Sequence, residues 1–291
     1  MDLSTFLIQC LNALQYGLLL FLVASGLTLI FGIMGVINLA HGSFYMIGAY
    51  LAFVLAPYFG DWYLTKLLVG VLLAAVFGYL LEWAFFSFLY QREHLQQVLM
   101  TYALILVFEE LRSMLVGNDV HGVQAPSWLA GGFKLGELMS YPWYRVFASV
   151  ACIVLALALY GVVNRTRLGM MIRAGASNRD MVRGLGIDIQ RLYRIVFAGG
   201  VALAALAGMI AAPLSSVYPG MGGSVLIICF VVVVIGGIGS ITGALIASLL
   251  VGFVDTFGKV FFAEYSGIGV YLLMAVILVW RPEGLMKQHG R

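Results

Sequence analysis

The chain has 291 residues, of which 63% are hydrophobic and 10% are charged. A soluble globular domain is about 45–50% apolar and about 25% charged, so the composition excludes that class and indicates an integral membrane protein. The formal net charge is +3 at pH 7, and the cations lie mainly between the apolar runs. Their placement indicates membrane topology and gives no sign of nucleic-acid binding.

Apolar runs follow one another along nearly the whole chain, and a helix needs about 20 such residues to cross a bilayer. Those before the middle of the chain are residues 6–31, 37–56, 64–90, 98–116 and 143–163. Those after it are residues 195–212, 225–258 and 267–280. No long polar insert remains for a second domain. We therefore predict an all-α, polytopic membrane helical bundle that forms a single transmembrane domain over residues 1–291.

The start of the chain is apolar and lacks cations, since the first Lys or Arg is Lys66. A cleaved signal peptide begins with a cationic region, so residues 6–31 are expected to remain as the first span. Cationic loops stay in the cytoplasm. The N-terminus is therefore expected on the outer side of the membrane.

A glycine-rich polar stretch, residues 26–43, interrupts the apolar pattern between the first two runs. It contains Asn38, His41 and Gly42 together with further glycines. Irregular backbone at membrane depth is tolerated only where it is buried in protein or lines a watery cavity. Two interpretations stay open: a broken helix in the wall of a transport pathway, or a simple polar turn between two spans. On the first, Asn38, His41 and Gly42 are candidate pathway residues.

Acidic side chains inside apolar runs are functional candidates by default. Glu82 is the deepest of them, and either a partner helix or the inner membrane boundary could accommodate it. Glu109 and Arg112 stand three residues apart near the end of a run. We expect them to form an ion pair near the outer surface.

Residues 165–194 hold seven of the sixteen Lys and Arg residues, which is typical of a cytoplasmic segment. Within this segment, Asn178 is expected to cap a short helix in which Met181, Val182 and Leu185 share one face. That apolar face is too small for a lipid anchor but suffices for docking to a partner protein.

The apolar run 225–258 is too long for one span, and glycines at its centre weaken a helix enough to allow a turn. With that break, an even number of passes separates the arginine-rich segment from the C-terminal cations, so both ends of this half lie in the cytoplasm. The chain then has eight or nine spans. Three glycines of the break, Gly236, Gly239 and Gly243, are further candidate pathway residues.

Small residues recur at every fourth position within residues 70–78, 200–212 and 240–252. Such rows let helices approach closely in a membrane. Packing inside this one chain is the expected role of each row, and a subunit interface is the alternative for one of them. Cys10, Cys152 and Cys229 each lie in an apolar run and are expected to be packing residues.

Motifs for chemistry are absent from the sequence. It contains no G-x-x-x-x-G-K-[ST] loop for ATP, no H-E-x-x-H metal motif and no G-x-S-x-G nucleophile elbow. We therefore expect a protein that is not an enzyme, with no catalytic residue, metal site or cofactor of its own.

Three passages together resemble a known family. They are Gly-Leu-Thr-Leu-Ile-Phe-Gly-Ile-Met-Gly-Val-Ile-Asn-Leu-Ala-His-Gly-Ser at residues 26–43, the segment 173–187, and Gly-Gly-Ile-Gly-Ser-Ile-Thr-Gly-Ala at residues 236–244. The tail Arg-Pro-Glu-Gly at residues 281–284 agrees with them. The chain resembles the integral membrane permease subunits of branched-chain amino acid ABC importers, in the hydrophobic amino acid uptake group that includes urea and short-amide permeases.

The resemblance implies a bacterial inner-membrane permease that works with a second related permease, two cytosolic ATPase subunits that use the ATP, and an external solute-binding protein. It implies import of branched-chain amino acids or a related small solute. It also implies that the segment 164–194 couples to the ATPases, with the contacts made by Arg173, Ala174, Asn178, Gly184, Gly186 and Ile187. Urea or short-amide transport is the alternative within the group.

A protein of a different class stays open as well, namely a stand-alone ion-coupled secondary transporter. Its coupling site would be Glu82 or the region of Asn38 and His41. Ser177 and the pair Arg179 and Asp180 stand where acidic or Pro residues are common in the family. We expect the substrate class to vary without loss of the coupling role.

Overall fold

The computed structural model describes residues 3–90, 92–134 and 140–286, which form twelve α-helices, three short 3-10 helices and one two-stranded antiparallel sheet. The α-helices are α1 (Leu3–Met34), α2 (His41–Val54), α3 (Ala56–Phe59), α4 (Tyr63–Ala84), α5 (His94–Val116), α6 (Trp143–Arg165), α7 (Arg167–Ser177), α8 (Arg179–Gly184), α9 (Ile189–Ala211), α10 (Met221–Gly236), α11 (Ile241–Phe261) and α12 (Ser266–Trp280). The 3-10 helices are Phe86–Phe88, Ser127–Leu129 and Ala263–Tyr265, and the strands are β1 (Gly132–Lys134) and β2 (Ser140–Pro142).

The helix content confirms an all-helical membrane protein in its main architecture. Five helical segments of the described chain are long and apolar enough to cross a membrane, namely Leu3–Met34, Tyr63–Phe88, Trp143–Arg165, Ile189–Ala211 and Ile241–Phe261. Strands β1 and β2 form one short hairpin beside the helices. They pair through Phe133 and Tyr141 just before α6, and a hairpin with strands of three residues is too short to leave a periodic signal.

The predicted break in the run 225–258 is confirmed. Helix α10 ends at Gly236 and α11 begins at Ile241. Between them Gly237 and Gly239 have φ angles of 95° and 84°, values that favour glycine because a β-carbon would clash there. The side chain of Ser240 then caps α11 by accepting a hydrogen bond from the amide of Gly243 at 3.0 Å.

The predicted second span, residues 37–56, is not a single helix. Helix α1 ends where Gly35 takes a φ of 66°, and residues 35–40 follow as non-helical chain in which Val36, Asn38 and Ala40 are buried. Helix α2 begins only at His41. The irregular backbone is therefore buried in protein, which is the condition under which a break at membrane depth is tolerated.

Helix α1 is the core of the bundle. In the apolar 18-residue stretch of α1, 89% of the residues are buried, whereas in that of α6 only 17% are buried. The difference arises because α1 packs against α6, α9, α10 and α11, while much of α6 faces outward. Exposed apolar side chains on the outer helices, such as Leu115 and Leu157, are what a lipid or protein surface would cover.

The rows of small residues pack within this chain, as expected. A β-carbon at Gly78 of α4 would lie 2.8 Å from the β-carbon of Val201 on α9. A β-carbon at Gly252 of α11 would lie 2.7 Å from the carbonyl oxygen of Ala13 on α1. Close approach of backbones gives the dispersion contacts that hold helices together in lipid. These rows therefore form helix–helix contacts within this chain.

Two smaller predictions concern side chains. The ion pair between Arg112 Nε and Glu109 Oε2 is present at 3.2 Å. Cys152 and Cys229 are buried as free thiols, in agreement with packing roles. The C-terminal cations Lys287 and Arg291 lie outside the described residues.

Candidate functional site

Two helices shorter than a membrane span meet inside the bundle. Helices α2 and α10 have 14 and 16 residues, or about 21–24 Å at 1.5 Å per residue, against a bilayer core of about 30 Å. Their N-terminal ends touch, since a β-carbon at Gly222 would lie 2.7 Å from the carbonyl oxygen of Gly42. Only glycine at both positions permits this approach. We call this contact the half-helix junction.

Polar groups without protein partners line the half-helix junction. His41 is fully buried, and its Nε2 forms a hydrogen bond of 2.9 Å with the carbonyl of Val23 on α1. Its Nδ1, the Nδ2 of Asn38 and the Oγ1 of Thr28 are buried without a hydrogen-bond partner among the described residues. A buried unpartnered polar group costs about 1–3 kcal/mol. The predicted pathway residues Asn38, His41 and Gly42 are thus brought together at a polar point within an apolar bundle.

The other predicted pathway residues lie elsewhere. Gly236, Gly239 and Gly243 form the tight α10–α11 turn, where a β-carbon at Gly236 would lie 2.5 Å from the carbonyl carbon of Gly243. Gly236 is 14 residues beyond Gly222 along α10, or about 21 Å. The turn also meets α1 near its C-terminal end, where a β-carbon at Gly32 would lie 3.3 Å from Cα of Gly239, while a β-carbon at Gly26 would lie 3.1 Å from Cε1 of His41. Gly239 and His41 therefore contact α1 at positions six residues apart, or about 9 Å.

The C-terminal segment holds the α10–α11 turn in place. The amide of Leu285 donates to the carbonyl of Ile235 at 2.8 Å, and that of Met286 donates to Gly236 at 3.1 Å. These bonds satisfy carbonyls that the end of α10 leaves unpaired. The Arg-Pro-Glu-Gly motif at residues 281–284 precedes these donors, so the sequence signal there corresponds to a cap on α10.

The segment 164–194 forms two short helices, α7 and α8, joined at Asn178. The Oδ1 of Asn178 accepts a hydrogen bond of 3.0 Å from the amide of Met181, which confirms the predicted cap. Of the predicted apolar face, Val182 is buried, while Met181 and Leu185 are 66% and 73% exposed. The two exposed side chains leave apolar surface free on this segment.

Contacts anchor this segment to two long helices. A β-carbon at Gly175 of α7 would lie 3.3 Å from Cδ1 of Ile33, near the end of α1. The guanidinium of Arg173 donates to the carbonyl of Val163 on α6. These contacts join α7 directly to α1 and α6.

The six predicted coupling residues are spread along this anchored segment. Arg173 and Ala174 lie on α7, where the Ala174 carbonyl accepts a hydrogen bond of 2.9 Å from the amide of Asn178. Gly184 ends α8, and Gly186, with a φ of 81°, turns the chain into Ile187 and α9. A β-carbon at Gly184 or Gly186 would meet no atom within 4 Å.

Glu82 is fully buried near the same end of the bundle. The Tyr90 hydroxyl donates to its Oε1 at 2.5 Å, and the Nε of Arg194 on α9 lies 3.3 Å from its Oε2. Of the two accommodations left open by the sequence, a partner helix is the correct one. Both oxygens of Glu82 have partners within the protein. This arrangement does not favour Glu82 as an ion-coupling site, because neither oxygen is left for an ion.

Sequence reasoning missed a set of polar residues at the opposite end of the bundle. Arg145 on α6 and Asp255 and Lys259 on α11 line one cavity there, together with residues of α1. Asp255 is a lone acid within the run 225–258, and such an acid is a signal that could have identified this region.

Apolar helices of membrane length, half-length helices that meet inside them and a polar segment at one end together define a polytopic membrane transport protein. Comparison with known proteins gives the particular group. The chain belongs to the family described as branched-chain amino acid transport system / permease component, which matches residues 9–279.

Curated relatives of known name agree with the family. The chain is 30% identical to the high-affinity branched-chain amino acid transport system permease protein BraD of Pseudomonas aeruginosa, over 97% of this chain and 95% of BraD. It is 28% identical to LivH of Escherichia coli over 97% and 95% of the two chains. It is 26% identical to LivM of the same organism over 90% of this chain and 66% of LivM. No solved structure gives a significant match.

Proposed function

We propose that this chain is the transmembrane permease subunit of an ATP-driven importer that carries branched-chain amino acids into a bacterial cell. The observation that carries the proposal is the family match, which runs through residues 9–279 and so includes every helix from α1 to α12 at least in part. The relatives are transport permeases, so we assign the chain no enzymatic activity and no cofactor of its own. Partner subunits use the ATP.

The 164–194 segment is the coupling element in this proposal. Arg173, Ala174, Asn178, Gly184, Gly186 and Ile187 lie on or next to α7 and α8. Movement of the ATPases would displace α7, and the Ile33 and Val163 contacts would carry that displacement to α1 and α6. Reversing a conformational ratio of 1:99 to 99:1 takes about 5.5 kcal/mol, which differential binding of ATP by the partners supplies.

The pathway assignment rests on the half-helix junction. Asn38, His41 and Gly42 lie where the N-termini of two half-length helices meet, as at many substrate sites of transporters. Gly236, Gly239 and Gly243 are assigned to the pathway as a turn that moves with α10. We assign the whole chain, residues 1–291, to one transmembrane domain.

The orientation follows from charge. The arginine-rich segment and the C-terminus are placed in the cytoplasm and the N-terminus outside, in an inner membrane crossed eight or nine times. The 23-residue helix α5 and the shorter helices α2, α10 and α12 would complete the spans beyond the five long, apolar helical segments.

The assembly contains this chain, a second related permease, two cytosolic ATPases and an external solute-binding protein. Similarity to both LivH and LivM of one organism supports pairing of related permeases. Because the relatives reported above are named for branched-chain amino acids, we do not favour urea or short-amide transport or a stand-alone ion-coupled transporter.

The experiment tests docking at α8. We expect the double change Met181→Glu and Leu185→Glu to weaken co-purification of the ATPases, and ATP-driven leucine uptake in vesicles, by at least about tenfold, since exposed apolar anchors contribute most to docking. Folding is expected to survive, because both side chains are largely exposed.

Met170→Glu is the matched control. Met170 is 60% exposed on α7, outside residues 173–187, so co-purification and uptake are expected to remain near those of the parent. Unchanged co-purification in the double variant would contradict docking at α8. Leucine uptake by the purified chain without ATPases would contradict the importer proposal itself.

A further inference from the structure

A cavity of about 470 Å³ lies in the half of the bundle away from the coupling segment. Its wall combines the first half of α1, the first turn of α6 and the last turns of α11. The location is clear from α6, which begins beside Arg145 at the cavity and ends at Arg165 beside the coupling segment. Small-molecule sites have volumes of about 300–1,000 Å³, so this cavity has the size of a ligand site.

One side of the cavity is cationic. The Nη1 of Arg145 donates hydrogen bonds to Asn12 Oδ1 at 2.7 Å and to Gln15 Oε1 at 3.3 Å. Within residues 3–90, 92–134 and 140–286, Arg145 forms no ion pair with a carboxylate. Neutral amides thus orient the guanidinium and leave its charge uncompensated, an arrangement suited to a ligand carboxylate.

The lining also contains an acid and the lysine that pairs with it. Asp255 is only 7% exposed, and its Oδ2 lies 2.5 Å from Nζ of Lys259, one turn further along α11. The Lys259 side chain is 60% exposed, and its ammonium also lies 5.5 Å from the centre of the Tyr16 ring. The exposed Lys259 ammonium thus forms an ion pair with one oxygen of Asp255. The second oxygen remains available to a ligand ammonium.

The rest of the lining is apolar and leads toward the half-helix junction. Leu19, Leu20 and Val23 of α1 face the cavity along one side. The carbonyl of Val23 is also the group that holds His41 at the half-helix junction. An aliphatic side chain in the cavity would therefore contact apolar surface that continues through Val23 to the half-helix junction.

We propose that this cavity binds an aliphatic α-amino acid as a zwitterion, with its carboxylate at Arg145, its ammonium at Asp255 and its side chain against Leu19, Leu20 and Val23. The inference rests on the proposed function and adds the site and its mode of recognition. The decisive observation is that a cation and an anion line one cavity without pairing with each other. A zwitterion engages the Arg145 guanidinium and the second oxygen of Asp255 at once, whereas a simple carboxylate engages only the guanidinium.

The test uses the transporter assembled from both permeases and the ATPases, without the solute-binding protein, in lipid nanodiscs. It measures equilibrium binding of L-leucine, leucinamide and 4-methylpentanoate. Leucinamide lacks the carboxylate and 4-methylpentanoate lacks the ammonium. We expect Arg145→Met to weaken leucine binding at least about tenfold while changing leucinamide binding less than about twofold. Asp255→Asn is expected to weaken leucine binding to the same extent and to spare 4-methylpentanoate.

Arg112→Met is the matched control, since Arg112 lies at the same end of the bundle and pairs with Glu109 away from this cavity. It is expected to leave all three affinities unchanged. Equal weakening of all three ligands by Arg145→Met and Asp255→Asn would mean that both residues act on the fold alone, and would overturn the site. Binding of 4-methylpentanoate as tight as that of leucine would overturn the zwitterion assignment.

Uptake by the same variants, reconstituted in lipid vesicles with the solute-binding protein, separates the two proposals. ATP-driven leucine uptake with unaltered ligand preference in both variants would overturn the cavity assignment and leave the importer in place. Leucine binding with the expected preferences but without ATP-dependent uptake would overturn the importer proposal and leave the cavity assignment in place.

Discussion

The charged residues at the two ends of the bundle are arranged in opposite ways. At the end that carries the coupling segment, Glu82 is fully buried between the Tyr90 hydroxyl and the Arg194 guanidinium. At the other end, Arg145 binds only amide oxygens among its hydrogen-bond partners, and Asp255 pairs with a lysine whose side chain is 60% exposed. The first arrangement is complete within the protein, while the second leaves charge facing a cavity.

The presence or absence of compensating groups distinguishes a structural charge cluster from a ligand site in a membrane bundle. A buried charge is tolerated only when other groups in the protein compensate it. Glu82 has such partners on two sides, so it joins α4 to α9 and needs nothing else. Arg145 and Asp255 retain unused capacity, which is what a binding site requires.

The largest effect is expected at Glu82. Glu82→Ala leaves the Arg194 guanidinium without its counter-charge, so we expect the free energy of unfolding in detergent to fall by more than in Asn178→Ala or Lys259→Met. The measurement is denaturant unfolding followed by circular dichroism. The double variant Glu82→Leu and Arg194→Leu removes both charges and should recover most of the loss. A double variant that is less stable than Glu82→Ala would show that the pair does not act as a unit.

Local signals in the sequence predicted the parts of the fold that depend on a few neighbouring residues. The break after Gly236 and the Asn178 cap were both predictable, because glycine density and capping chemistry act within one helical turn. The ion pair of Glu109 and Arg112 belongs to the same group, since the two residues lie on one helical face.

Contacts between distant residues could not be predicted in this way. The half-helix junction joins Gly42 to Gly222, and the cationic side of the cavity joins Arg145 to Asn12. Each pair is more than a hundred residues apart in the chain, and no periodic pattern encodes which helices become neighbours. For the same reason the sequence could not predict that Gly239 and His41 both lie against α1, near Gly32 and Gly26.

An intermediate effect is expected at Asn178, on the coupling segment. Asn178→Ala removes the side-chain acceptor for the Met181 amide, and loss of an N-cap costs about 1 kcal/mol. We expect faster hydrogen exchange at the amides of α8 and no change in α1. Asn178→Asp keeps an acceptor oxygen and should preserve protection. Equal exchange rates in Asn178→Ala and the parent would mean that the cap does not hold α8.

The smallest effect is expected at Lys259, the exposed partner of Asp255. Lys259→Met removes an ion pair between an exposed ammonium and a carboxylate, and such pairs contribute about 0–1 kcal/mol. The free energy of unfolding should therefore change by less than a third of the Glu82→Ala effect, in the same detergent and by the same measurement. If the two losses are equal, Asp255 depends on Lys259 as Glu82 depends on Arg194. The outer charges would then form a closed structural cluster, and the contrast between the two ends of the bundle would fail.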